Sequence, residues 1–134
     1  APAGADYTCF LKPETRLPMM YMPDAIQARL ALMEADADAL SVRDSYNAGA
    51  LSFSPAELAA AIQARVPTFD CRYEPDERQR IAENWPSSVD DTAARTDWDW
   101  APEYDLDALT EDMLHHLREN VRAPGNVGEK KRGR

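Results

Sequence analysis

The sequence predicts a mixed α/β chain built from short strands and short helices. Three observations carry that expectation. Ser54-Pro55-Ala56-Glu57 is a capping box with proline at the first helical position, followed by apolar residues at helical spacing. Phe69, Cys71 and Tyr73 alternate with polar residues, the pattern of a half-buried strand. Ten prolines divide the 134 residues, so no element runs far. A chain of this length is one domain at most. No internal repeat is present, and the strands are too few to close a barrel. They are expected to pack, with the helices, onto a larger sheet.

The elements follow in order. Residues 7–11 (YTCFL) are a β-prone run. Residues 12–18 form a loop with two prolines, and 19–22 a second extended segment held by Pro23. Asp24 is expected to cap a helix to about Ala35, with Ile26, Leu30 and Met33 sharing one face and the methionines serving as core fillers. Residues 41–47 (SVRDSYN) read as a strand, and 51–53 as a brief extension. The helix opened by the capping box runs to about Arg65, buries Leu58 and Ile62, and stops at Pro67. After the strand at 69–73, Pro75 and Asp76 start a short helix to about Asn84, broken by Trp85-Pro86. Residues 88–97 carry a helical turn or two. Asp105 or Asp107 caps the last helix, to about Glu119, with Leu106, Leu109, Met113 and Leu117 on its buried face. The domain is expected to span 1–122, with a disordered basic tail at 123–134 ending in KKRGR.

Composition narrows the partners. The net charge is −9, from 24 acidic and 15 basic residues, which repels a phosphate backbone and argues against nucleic acid. No apolar run is long enough to cross a membrane and no signal peptide opens the chain, so no membrane partner is expected. The two cysteines, Cys9 and Cys71, lie far apart in apolar stretches. Both read as reduced thiols of a cytoplasmic protein, packing as small hydrophobes. The first residue is Ala1 rather than Met, as in a chain processed or cut from a longer one.

Self-sufficient catalytic sites are not evident. His115 and His116 are adjacent on a helix and point about 100° apart, so they do not form a joint metal site. Asp90-Asp91 and Asp97 with Asp99 lack the spacing and central glycine of a calcium loop. No metal site is expected. There is no glycine-rich nucleotide loop, no Tyr-x-x-x-Lys pair and no GxSxG or HExxH motif. The chain therefore offers no catalytic residue and no cofactor-binding residue of its own. Trp85, in a turn, either plugs the core with its indole or walls a small-ligand pocket, and the turn alone favours the core. Trp98 and Trp100 read as packing anchors.

Residues 16–24 (RLPMMYMPD) with the following AIQARLALMEA closely resemble the C-terminal region of the short-chain type of L-threonine 3-dehydrogenase. The resemblance continues through SVRDSYN, LSFSPAELAAAI, RQRIAENWPSSVDD and WDWAPEYDLDALTEDML, and covers about residues 7–117. The last segment also looks like the wider extended short-chain dehydrogenase, epimerase and dehydratase superfamily. The resemblance implies the C-terminal substrate-binding lobe of an extended short-chain dehydrogenase, without its Rossmann core. The parent would oxidise the 3-hydroxyl of L-threonine to 2-amino-3-ketobutyrate with NAD, bound by the N-terminal lobe. It also implies a small amino-acid substrate, a partner in the missing Rossmann lobe or a catalytic homologue, and a homo-oligomeric parent.

Carried onto this chain, the tryptophan that closes over substrate in the family's S-W-P segment matches Trp85, which moves its expected place from core to pocket. Arg16 and Arg78 become candidate clamps for the substrate carboxylate, because guanidinium pairs bidentately with carboxylate. The bland alternative for each is a surface ion pair. Two departures stand out: Asp99 where the family has glycine between the later tryptophans, and Asn84 where serine is common. Two other readings remain open. One is the lobe of a sugar-nucleotide epimerase or dehydratase, which the acidic balance disfavours because a pyrophosphate needs basic groups. The other is a non-catalytic interaction stub marked by exposed apolar patches.

Overall fold

Two short ladders carry the strands in the computed structural model, which describes residues 6–122. β1 (Asp6–Cys9) pairs in parallel with β4 (Asp70–Tyr73), Tyr7 opposite Cys71 and Cys9 opposite Tyr73. The expected alternation holds, with Cys71 and Tyr73 half-buried and Asp70 and Arg72 exposed. β2 (Leu17–Met19) pairs antiparallel with β3 (Leu51–Phe53). Among the described residues there is no larger sheet, only these two ladders.

α1 (Met22–Glu34) begins three residues before the sequence predicts, with Tyr21 in the cap position expected for Asp24. Tyr21, not Met22, is the extended residue, and Pro23 sits in the first turn, where its missing N–H leaves no helical bond unmade. Contacts at the cap outweigh the local preference of a residue before proline. The Tyr21 hydroxyl donates to Asp112 Oδ2 at 2.6 Å, and its ring meets Tyr104 edge-on at 4.8 Å. Asp24 is therefore not the cap. Its buried carboxylate accepts from the backbone N–H of Glu103 at 2.9 Å and Tyr104 at 3.3 Å.

The face that Ile26, Leu30 and Met33 share turns outward, so Met33 is not a core filler. Ile26, Leu30 and Met33 are 54%, 48% and 81% exposed, and with Met22 they form one outward apolar stripe. The buried side is carried instead by Asp24 and Ala28, with Ala31, Leu32 and Ala35 against the core. A helix with apolar residues on two faces has one period for both. Spacing therefore cannot say which face is inside.

Residues 41–47 form no ladder. Their polar groups are satisfied by α4 (Thr92–Trp98): Asp97 accepts from Ser41 N at 2.9 Å, from the Ser41 hydroxyl and from the Tyr46 hydroxyl, both at 2.6 Å. These bonds hold the Asp97 carboxyl below its ordinary value, the Ser41 hydroxyl contributing most.

α2 (Pro55–Arg65) carries the complete capping box. Ser54 Oγ accepts from Glu57 N at 3.3 Å, and the Glu57 carboxylate accepts from Ser54 N at 2.7 Å. Ser54→Ala removes the first bond, and a loss of about 1 kcal/mol of unfolding free energy is expected in urea titration. An unchanged midpoint would show that the box does not hold this helix. Leu58 and Ile62 are half-buried beside the buried Ala59.

α3 (Glu77–Ala82) is capped by Asp76, as predicted, and ends before Asn84 in tighter turns. α4 starts four residues later than expected because the Asp90 carboxylate takes the Thr92 N–H at 3.0 Å in a local turn. It ends on Asp99, whose φ of 54° is the left-handed conformation that glycine adopts most easily. α5 (Leu106–Arg122) is capped by Asp105, which accepts from Ala108 N at 2.8 Å. Leu109 is buried, but Met113 and Leu117 are exposed, against expectation. α5 is tied to α2 at its beginning, through Arg65 to the Asp107 carboxylate and carbonyl at 3.2 and 3.1 Å. The core gathers Ala28, Ala94, Trp98 and Trp100, so the two tryptophans are packing anchors. The expected basic tail, 123–134, lies outside the described residues.

Candidate functional site

Arg16 stands at the entry to β2 and reaches across the ladder. Its Nη1 donates to the Ser52 carbonyl, and its Nη2 to Glu57 Oε1 at 2.6 Å. Glu57 thus closes the capping box with one oxygen and holds Arg16 with the other. The Ser54 backbone N–H, then Arg16, keep the Glu57 carboxyl below its ordinary value. The Ser52 hydroxyl in turn donates to the Ser87 carbonyl, two residues past Trp85. Arg16, Ser52 and the turn at 85–87 are one linked surface.

Trp85 is 62% exposed, so it does not plug the core. Its backbone N–H closes a turn on the Ala82 carbonyl at 3.1 Å. Asn84, the departure from serine, spends its side-chain amide on the Arg80 carbonyl at 2.9 Å, finishing α3. Arg78 lies at the opposite end of α3. Its Nε donates to both Asp76 oxygens at 3.0 Å, and its guanidinium carbon lies 3.6 Å from the Phe10 ring centre. The pair holds the Asp76 carboxyl below its ordinary value and raises Arg78. The structure therefore joins Arg16 to the Trp85 turn and holds Arg78 elsewhere. Both guanidiniums sit in half-exposed ion pairs, so either must exchange a partner to clamp a carboxylate.

Two cavities flank the β2–β3 ladder. The larger, about 420 Å³, lies between the ladders and α2 and is lined by apolar side chains such as Phe10, Leu17, Phe53 and Ile62. Nothing charged lines it, so it does not suit a zwitterion. The smaller, about 230 Å³, lies between β2–β3 and α4 and is lined by Gly49, Ser52, Ser88, Asp91 and Arg95 among others. Asp91 accepts from Arg95 Nε at 2.8 Å and from Gly49 N at 3.3 Å, and Arg95 holds the Asp91 carboxyl below its ordinary value. A Cβ on Gly49 would lie 3.2 Å from both the Asp91 carboxylate and the Val89 carbonyl, so this approach favours glycine. Through Ser52 and Ser88 this polar cavity adjoins the Arg16–Trp85 surface. Asp91 and Arg95 show only the i,i+4 spacing of a helical ion pair, and Ser52 carries no sequence signal of its own; their meeting here depends on contacts across 35 and 42 residues.

The described residues do not fit a dinucleotide. Gly49, the one glycine among them, approaches a carboxylate rather than an open anion cradle. The amino end of α2 is closed by Ser54 and Glu57. The two histidines face carboxylates on their own helix, His115 with Glu119 at 3.4 Å and His116 with Asp112 at 3.5 Å.

No protein-family model matches the chain. Individual proteins do. Mitochondrial L-threonine 3-dehydrogenase of Sus scrofa is 47% identical over 110 residues, covering 81% of this chain and 29% of that protein. The solved GalE-like L-threonine dehydrogenase of Cupriavidus necator, in its apo form, superposes with a TM-score of 0.81 at 58% identity, covering 85% of this chain and 41% of that one. The chain matches the C-terminal portion of the L-threonine 3-dehydrogenases. It also matches epimerase/dehydratase relatives. An uncharacterized epimerase/dehydratase of Staphylococcus haemolyticus is 45% identical over 114 residues, 84% of this chain and 36% of that protein. The fold class read from the sequence, mixed short strands and helices of an extended short-chain dehydrogenase, agrees with these neighbours. The chain spans between 29% and 41% of the length of these three relatives. Among the described residues no helix is long and apolar enough to cross a membrane.

Proposed function

We propose that this chain is the substrate-binding lobe of an NAD-dependent L-threonine 3-dehydrogenase, working in a reducing, cytoplasmic setting. The observation that carries the reading is the linked surface of Arg16, Ser52 and the Trp85 turn, together with 58% identity to a threonine dehydrogenase of the same fold. NAD, held by the part of the relatives that this chain does not span, would accept the hydride from threonine C3. The work of this chain is binding and sealing. Arg16 exchanges Glu57 for the substrate carboxylate, a bidentate partner that the half-exposed ion pair does not outcompete. Trp85 folds its exposed indole over the threonine side chain and excludes water from the reacting carbon. Pro86 limits the travel of that turn. The outward stripe of Met22, Ile26, Leu30 and Met33 supports docking against a larger body, because a patch of this kind is rare on a free surface.

The test is a chimera in which this chain replaces the matching portion of the Cupriavidus necator enzyme. L-threonine-dependent reduction of NAD is expected. Trp85→Ala is expected to lower kcat/KM by about 10–100-fold, and Arg16→Lys by about as much through KM, with unfolding midpoints unchanged. A folded chimera that ignores threonine and binds a sugar nucleotide would replace this reading with that of an epimerase lobe.

A further inference from the structure

The 420 Å³ cavity contains a chemistry that the Arg16–Trp85 surface does not use. Cys9 and Cys71, the two cysteines of the chain, both line it, with Met19 as a third sulfur. Both thiols are free, Cys9 buried and Cys71 half-buried. Strand register sets their relation. Tyr7 is opposite Cys71, and Cys9 lies two residues further along β1, so the thiols are diagonal neighbours on the face toward α2. A two-residue diagonal in a ladder separates Cα atoms by about 8 Å. A disulfide requires Cα atoms closer than about 7 Å. These thiols share a chamber but do not close on each other.

A bridging atom closes that gap. A metal ion bonded to two sulfurs at about 2.3 Å each holds them up to about 4.6 Å apart, against about 2.0 Å in a disulfide. We propose that Cys9 and Cys71 form a two-thiolate site for a soft, thiophilic metal ion that accepts two-coordination, set against the apolar wall of this half-open cavity. Each thiol releases its proton to solvent and forms one metal–sulfur bond, and no electron changes hands. With a divalent ion the product is electrically neutral, the form that an apolar chamber tolerates. Soft sulfur donors select such ions over oxygen-seeking ones. Among the described residues no group of three or more His, Cys, Asp or Glu is placed to hold a metal, so four-coordinate zinc is not the fit.

The experiment titrates the full chain with mercury(II) in the presence of excess glutathione, read by native mass spectrometry and by thiolate-to-metal absorption. One ion per chain is expected, with both cysteines protected from alkylation. Chelation by two thiols raises the effective concentration of the second, so Cys9→Ser and Cys71→Ser are each expected to weaken retention by about 100-fold or more. Cys71 is half-buried, so Cys71→Ser carries the test if Cys9→Ser fails to fold by circular dichroism. Two ions per chain, or a folded single variant that retains the ion as the native chain does, would overturn the proposal.

Discussion

Asp24→Ala is expected to lower the unfolding free energy by about 3 kcal/mol, a large effect for one residue on a helix. The Asp24 carboxylate is 1% exposed and accepts two backbone N–H groups, from Glu103 and Tyr104, some 80 residues away in the sequence. Alanine removes the acceptor and leaves both donors facing the place of a side chain that is 1% exposed. The cost is then the desolvation of those donors rather than the modest net value of the bonds. Asp24→Asn retains one acceptor oxygen and is expected to lose about half as much. The order native, Asn, Ala in urea midpoints is the check. If Asp24→Ala unfolds within about 0.5 kcal/mol of the native chain, as an ordinary surface substitution would, the clamp between α1 and the loop into α5 is not what holds this region.

The two core tryptophans are expected to part company when each is replaced by phenylalanine. Trp100 donates its indole N–H to the Gly49 carbonyl at 2.7 Å, whereas the buried Trp98 indole N–H has no partner. Trp100→Phe loses ring volume and also leaves the Gly49 carbonyl unpaired, for about 2–3 kcal/mol. Trp98→Phe loses similar volume but removes a buried donor that was already unsatisfied, which offsets much of the loss. A destabilisation at Trp100 exceeding that at Trp98 by about 1 kcal/mol or more is expected from paired denaturation curves. Equal losses would show that packing alone sets both. Trp100→Ala empties the centre of the core and is expected to cost about 3–5 kcal/mol.

Gly49 connects this core to the candidate site. Its carbonyl takes the Trp100 indole, and its N–H gives to Asp91, which in turn holds Arg95 at the wall of the polar cavity. The core tryptophan thereby positions a site wall through one backbone unit. Sequence reading found Trp98 and Trp100 as anchors from their spacing, but neither residue reports that its indole has, or lacks, an acceptor. That difference depends on where residues 48–50 pass, and no local rule encodes it.

What the sequence determined by itself is the local chemistry. Ser54-Pro55-Ala56-Glu57 closes its own capping box within four residues. Asp76 caps α3, and the alternation at Phe69, Cys71 and Tyr73 sets which sides of β4 turn inward. The segment RLPMMYMPD and those that follow it carry the resemblance to the threonine dehydrogenases as a sequence pattern. The two caps are closed by partners two or three residues away, so reading along the chain is sufficient for them. Tertiary structure decided the rest. It turned Ile26, Leu30 and Met33 outward, made Asp24 a long-range acceptor instead of a cap, and left residues 41–47 without a strand partner. It also joined Arg16 to the Trp85 turn through Ser52, while Arg78 went to Asp76. Helical spacing is the same for either face of α1, and a β-prone run becomes a strand only when another strand meets it. Those choices are made by which distant surfaces are buried together, and the period of the sequence does not contain them.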